Sequence, residues 1–448
     1  MNVESARAEP DQKELEDIVG MVLGFAGDNG ADQAEVAASH DIGLSATARL
    51  GDVESLEYTN DRGIWVTVYK DQKKGSASTS DFSPAALKEA VQKACTFAKY
   101  TAADEFSGLA DRELLAENPP DLDLAHQWPL ESEEAIRIAI ECEDAARSYN
   151  KRITNSEGAT VGTSSGVRAY ANTHGFLAGY PKTSHSVSCV VVGEDDGNME
   201  RDYWYSASRD AARLESPAAV GETAARRTVD RLGGRKIATV NAPVIYAPEM
   251  ARGFVAHAIS AISGGAQYRR SSFLLDAAGE TVFPEFFNIE ERPHIPGGMA
   301  SAPYDAEGVR TVDRDLVVDG VVQGYLLGSY SARKLGLVTT GNAGGAHNLL
   351  IPGNADNLDS LMKDMGTGLM VHELIGQGVN AVTGDYSRGA VGFWVENGEV
   401  AYPVHEVTIA GNLREMYRRI VSVGKDQDLR SGIRCGSILV SEMKIAGA

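Results

Sequence analysis

The chain has 448 residues, 42 of them basic and 63 acidic, for a formal net charge of −21. That length buries a large core and divides into two or three domains. The acidic balance repels nucleic acid and anionic membranes unless a local basic patch overrides it.

The opening segment MNVESARAEPDQKELED is polar and acidic, with none of the marks of a secretory or transit peptide. No apolar run reaches the roughly 20 residues that cross a bilayer. Cys95, Cys142, Cys189 and Cys435 form no CxxC pair, so a reducing cytoplasm is the expected setting. Leu15, Ile18, Val19, Val22 and Leu23 recur at helical spacing. GIWVTVY (63–69) and GSASTSD (75–81) read as strands around the turn KDQKK. Ser83 and Pro84 suit a helix start, and Leu87, Val91, Ala94, Cys95 and Ala98 form its inner stripe. Cys95 is therefore expected in the core rather than in catalysis.

ENPPDLDLAHQWP (117–129) reads as a connector, followed by an acidic helix with Ile136, Ala139 and Ile140 inward. From 153 to 206 the pattern is that of strands. Ser216-Pro217 opens another helix, which Gly233-Gly234 closes. Arg226, Arg227 and Arg231, in the densest basic stretch, are expected on its solvated face. The expected fold is α+β: an N-terminal domain of helices and β-hairpins over 1–234, then a strand-rich, barrel-like domain over 235–448. LVVDGVVQGYLLG (316–328) and FWVENGEVAYP (393–403) carry the Asp-Gly and Asn-Gly turns of hairpins. Asn412 and Glu415 match a capping box, which predicts a helix in NLREMYRRIVSVG.

His257 lies at helical spacing with Met250, Phe254 and Ala261, where a hydrogen-bonded core imidazole is expected. TTGNAGGAHN (339–348) fits neither phosphate-loop pattern. Its Gly344 and Gly345 would let backbone pass close to a strand or a bound peptide. The stretch from 366 to 390 is the densest in unusual chemistry. His372-Glu373 opens as helical zinc peptidase motifs do, with imidazole for metal and carboxylate for a proton. Gln377 stands where a second ligand is wanted, and Gly376 and Gly378 mark where a helix would end or deform. A catalytic zinc takes three protein ligands. His372 offers one, the amide of Gln377 binds zinc poorly, and His405-Glu406 helps only if the fold brings it alongside. Arg388 either pairs with Asp385, the expected role, or holds a peptide carboxylate.

ERDYWY, SARKLG, GNAGGAHN, MGTG, ELIGQGVN, TGDYSRGA, GFWVENGE, TIAGNL and SEMKIAGA occur in order along the chain. In these segments it resembles the TldD/PmbA family, and within it the PmbA (TldE) type of subunit. TldD subunits carry HExxxH and a downstream cysteine as zinc ligands. The resemblance sets His372 and Glu373 on the first two motif positions and Gln377 on the second histidine. Gly424-Lys425-Asp426 sets Val423 on the cysteine. Two ligand positions are thus replaced, which implies no metal in this chain and zinc in a partner. PmbA-type chains more usually carry hydroxyl residues where His372 and His405 stand. The implied function is that of a non-catalytic partner of a TldD-type zinc metallopeptidase acting on peptides and unfolded segments. Gly344, Gly345, Asp385, Tyr386, Arg388 and His405 are the candidate cavity residues. A mixed dimer, or a homodimer when isolated, is expected. Two alternatives stand beside it: a metallopeptidase with an atypical site built on His372 and His405, and a protein-interaction modulator of DNA gyrase.

Overall fold

The computed structural model describes residues 9–447, so the first eight residues of the opening segment lie outside it. In α1 (Gln12–Asp28) the Asp11 carboxylate accepts the Glu14 N–H, and Leu15, Ile18, Val19 and Val22 are buried. There follow β1 (Gln33–Arg49), β2 (Asp52–Lys70), β3 (Lys73–Thr79), α2 (Pro84–Tyr100), α3 (Ser132–Tyr149), β4 (Ile153–Asn172), β5 (Leu177–Asp195), β6 (Asn198–Ser208) and α4 (Pro217–Arg231). Ser83 and Ser216 cap α2 and α4 as their Ser-Pro starts predict. The strands form one antiparallel sheet in the order β3-β2-β1-β4-β5-β6. Ala34, Val36 and Ala38 of β1 pack under α1 and α2, while Leu44 and Ala46 pack under α3 and α4. All five are even-numbered, so the four helices cover one face. In α3 the inward stripe is Ala135, Ile138, Ala139, Cys142 and Ala146, with Ile136 and Ile140 only half-buried. The other face meets the second half of the chain, where Tyr170 and Phe176 pack with Tyr304 and Val309.

The second half runs β7 (Val240–Tyr246), α5 (Pro248–Ala261), α6 (Gly264–Tyr268), β8 (Ile289–Glu291), β9 (Arg314–Val318), β10 (Val321–Val322), α7 (Ser329–Leu335), β11 (Leu349–Leu350), α8 (Leu358–Met365), β12 (Gly368–Ile375), β13 (Asp385–Glu396), β14 (Glu399–Asn412), α9 (Leu413–Arg418), β15 (Ile420–Val423), β16 (Ile433–Arg434) and β17 (Ile438–Ala446). Strands β7, β12, β13, β14 and β17 close on themselves as a five-stranded barrel, since β17 pairs with both β7 and β14. Side chains fill so small a barrel. Val244, Leu369, Val371, Ala390 and Val407 do so here, with Phe254 of α5 stacked on Tyr246 at 4.9 Å. The expected α+β class with a barrel in its second half is therefore the observed one. Both predicted hairpins form: Asp319-Gly320 and Asn397-Gly398 turn them, all four with positive φ.

Two local expectations are overturned. VHELIGQGVN does not open a helix: 368–375 is strand β12, because Leu369 and Val371 alternate into the barrel. It ends at Gly376 (φ 80°), where the glycines were expected to break regular structure. NLREMYRRIVSVG is helical only over Leu413–Arg418, and Ile420–Val423 becomes a strand paired with β17. Its β-branched Ile420 and Val423 are buried in the sheet, with Val421 between them exposed, as strand alternation rather than a helix requires.

Candidate functional site

His372 is an extra residue in its strand. Val371 lies opposite Gly392 and Glu373 opposite Val391, which leaves His372 as a bulge. Gly392 is required there, since a Cβ would stand 1.9 Å from the Met370 carbonyl. His372 packs edge-on against Phe393, ring centres 5.1 Å apart, and borders a cavity of about 450 Å³ with Arg226, Arg227, Asp230 and Trp204. Both motif residues therefore face α4 of the first half.

What they meet there corrects the sequence reading. Only Arg226 is solvated; the side chains of Arg227 and Arg231 are 13% and 7% exposed. Their helix face packs on the barrel, where carboxylates compensate the buried charge. Arg231 lies 2.7 Å from Glu373 and 3.3 Å from Asp202 through Nη1, and 3.4 Å from Glu200 through Nη2. Burial works against its charge, but Asp202, Glu373 and Glu200 outweigh it and raise its pKa. Arg227 bridges Asp202 (3.4 Å) and Glu249 (3.1 Å) and covers the Trp204 ring, as does Arg430.

The fold also brings His405 in, for its Nδ1 lies 3.3 Å from Glu200. His405, Glu200, Arg231 and Glu373 thus form one chain of contacts whose centre is a guanidinium. This arrangement does not fit zinc. Among the described residues no three His, Cys, Asp or Glu side chains converge as ligands. The His372 Nε2 is shut from solvent without a hydrogen-bond partner. Burial and the Arg227 charge, opposed by Asp202 and joined by Arg231, push its pKa down to about 4. Gln377 is exposed on the loop after β12. Val423 is buried in β15, three strands away along the register Val423, Ile438, Tyr246, Val371. The four motif positions do not meet.

Asp385 and Arg388 do not pair. Tyr386 and Arg388 share one face of β13 and Asp385 takes the other. Asp385 is exposed and accepts the Thr383 hydroxyl, whereas Arg388 donates to the Leu374 carbonyl. Gly344 (φ 96°) and Gly345 (φ 122°) wall two cavities. One, of about 570 Å³, also touches Glu307 and Tyr330; the other, of about 350 Å³, lies between the halves against Trp65, Tyr170 and Asp305. Asp305 accepts N–H bonds from Glu307, Val309 and Ala343, yet burial pushes its carboxyl up to about 7. Glu35, overlooked in the sequence, accepts the Tyr69 and Tyr170 hydroxyls at 2.8 and 2.9 Å, with its pKa raised by burial. An isolated acidic residue in a strand pattern gave no signal of that role. His257 is half-buried, with its ring beside Tyr386 rather than inside the core.

Family models match most of the chain: residues 34–98 fit the PmbA/TldA metallopeptidase domain 1, 125–232 the central domain and 239–447 the C-terminal domain. The chain is 50% identical over 442 residues to metalloprotease PmbA of Escherichia coli O157:H7, covering 99% of this chain and 98% of that one. Its structure is similar to the crystal structure of a Bacteroides thetaiotaomicron protein described as a candidate modulator of DNA gyrase, with TM-score 0.92, 26% identity and coverage of 97% and 99%. TldE of Thermococcus kodakarensis shares the fold at TM-score 0.81 and 21% identity, over 96% of this chain and all of that one. The chain belongs to the PmbA/TldD family of metallopeptidases.

Proposed function

We propose that this chain is the non-catalytic partner of a TldD-type zinc metallopeptidase, in a cytoplasmic complex that cleaves peptides and unfolded segments. The observation that carries this reading is the position of Arg231. A guanidinium bound to Glu373, Glu200 and Asp202 supplies the positive charge that a metal would otherwise bring to these carboxylates. It also ties up the carboxylate that would have to take a proton from water. In the complex the zinc and the hydrolytic step belong to the partner. This chain contributes walls and polar contacts, through Gly344, Gly345 and the half-buried groups of β13. Among the described residues no helix is long and apolar enough to cross a membrane.

The test is peptide cleavage by this chain alone, by a TldD-type chain alone, and by the two mixed. Activity confined to the mixture, or much increased in it, supports the proposal. Zinc-dependent cleavage by this chain alone sinks it and favours the atypical peptidase.

A further inference from the structure

Arg388 is half-buried, and among the described residues no carboxylate lies within ion-pair distance of it. Its one hydrogen bond of normal geometry goes to the Leu374 carbonyl at 3.3 Å, and its Nε is buried without a partner. The Tyr386 hydroxyl two residues earlier is buried, with Tyr246 and Arg388 as its hydrogen-bonding neighbours but no bond of good geometry to either. His257 of α5 completes the group, its ring centre 6.2 Å from that of Tyr386. Burial, aided by the Arg388 charge, holds the imidazole below its usual pKa, so it is neutral and keeps one N–H to donate. Leaving a buried donor unmade costs about 1–3 kcal/mol, more when it is charged. The unmade Nε of Arg388, beside a buried hydroxyl with poorly made bonds and carrying an uncompensated charge between strand and helix, has the composition of an anion subsite. The planar guanidinium fork matches a carboxylate.

We propose that Arg388, with Tyr386 and His257, binds a carboxylate of the peptide. This rests on the partner-subunit reading for its substrate class. The carboxylate is either a free C-terminus or an acidic side chain.

Saturation-transfer NMR on the full chain distinguishes these with three probes at millimolar concentration: acetyl-trialanine, its C-terminal amide, and amidated acetyl-Ala-Glu-Ala. A preference of about tenfold or more for the free acid over the amide is expected for a C-terminal anchor, and the same preference for the Glu peptide over the amide for a side-chain anchor. Arg388→Gln should abolish the preference, and Arg388→Lys should keep part of it. Because the acid and amide are compared on the unaltered protein, the result does not depend on a variant folding. Equal binding of all three, no binding of any, or a preference that survives in folded Arg388→Gln overturns the proposal. The cleavage assay of mixed chains reports separately on the partner-subunit reading.

Discussion

Arg231 Nη1 lies 2.7 Å from Glu373 Oε2, so the carboxylate next to His372 is bound to a guanidinium from the other half of the chain. The contact joins the helical layer to the barrel, and it converts a protease-like dipeptide into part of an internal ion network. Asp202, 4% exposed, shares the same cation.

Removing that cation should be far worse than removing the motif carboxylate. Arg231→Met leaves the buried Asp202 with Arg227 as its remaining cation and deprives Glu200 and Glu373 of theirs, and is expected to cost about 3 kcal/mol. Glu373 is a third exposed, so Glu373→Gln should cost about 1 kcal/mol or less. Urea denaturation of both variants checks the order. In the mixed complex, Glu373→Gln should keep cleavage within about tenfold of wild type, whereas loss of a true general base costs more.

Metal content gives an independent measurement. After mild purification the chain should carry well under one zinc per molecule, since Gln377 and Val423 stand where ligands are wanted and, among the described residues, no three His, Cys, Asp or Glu side chains converge. Elemental analysis showing one zinc per chain, lost on His372→Ala, would falsify the non-catalytic reading.

The pH dependence of stability follows from His372. Its folded pKa, about 4, lies below the ordinary 6.5, so the unfolded chain takes up the proton first on acidification. Stability from this group is whole above about pH 6.5 and is lost progressively down to about 4, with a single-group ceiling of about 3 kcal/mol. Asp305 acts in the opposite sense. Its carboxyl is raised from 3.8 to about 7, so its contribution is whole below 3.8 and is lost as pH rises through 7. His372→Leu should therefore flatten the acid side of the stability curve between pH 4 and 6.5. An unchanged slope there would mean that the imidazole is not buried as described.

Gly221 tests how α4 is held. A Cβ there would stand 2.0 Å from the Cys142 carbonyl, so α3 and α4 touch through backbone. Gly221→Ala must push α4 outward, and with it Arg227 and Arg231. A loss of about 1–3 kcal/mol is expected in chemical denaturation. The loss should shrink when Arg231 is already replaced, because contacts within one network do not add independently.

Local rules carried the first half of the chain well. Ser83 and Ser216 announced helix starts, alternation announced β4 to β6, and Asn397-Gly398 announced its hairpin. They failed where tertiary contacts override local preference. His372-Glu373 looks helical until the alternation of Leu369 and Val371 is set against a barrel interior. Arg227 and Arg231 look solvated because nothing nearby in sequence shows that Asp202 and Glu373 will compensate them. Charge pairs separated by 25, 29 and 142 residues leave no periodic trace. Glu35 stayed invisible for the same reason, since its partners Tyr69 and Tyr170 lie on neighbouring strands. The amide of Gln377 and the isopropyl group of Val423, at the positions that the resemblance assigns to zinc ligands, are by contrast plain in the sequence.

Association with a second chain should involve the outer edge of β2. From Val53 to Tyr58 no strand lies on its outer side among the described residues, because β3 pairs only from Ile64 onward. Val53, Leu56 and Tyr58 are 48%, 40% and 55% exposed. They stand opposite Ala48, Ala46 and Leu44 of β1, so they continue the apolar helix-covered face beyond the reach of α3. An unprotected edge with an apolar row beside it favours strand-to-strand contact, and lysine on such an edge suppresses it. Leu56→Lys with Tyr58→Lys should weaken association at least tenfold in sedimentation, whether with a TldD-type chain or with itself. The fold should lose less than about 0.5 kcal/mol, since both side chains are already in solvent. If the doubly substituted chain associates as tightly as wild type, the contact lies on another face, and the apolar row on β2 is only surface.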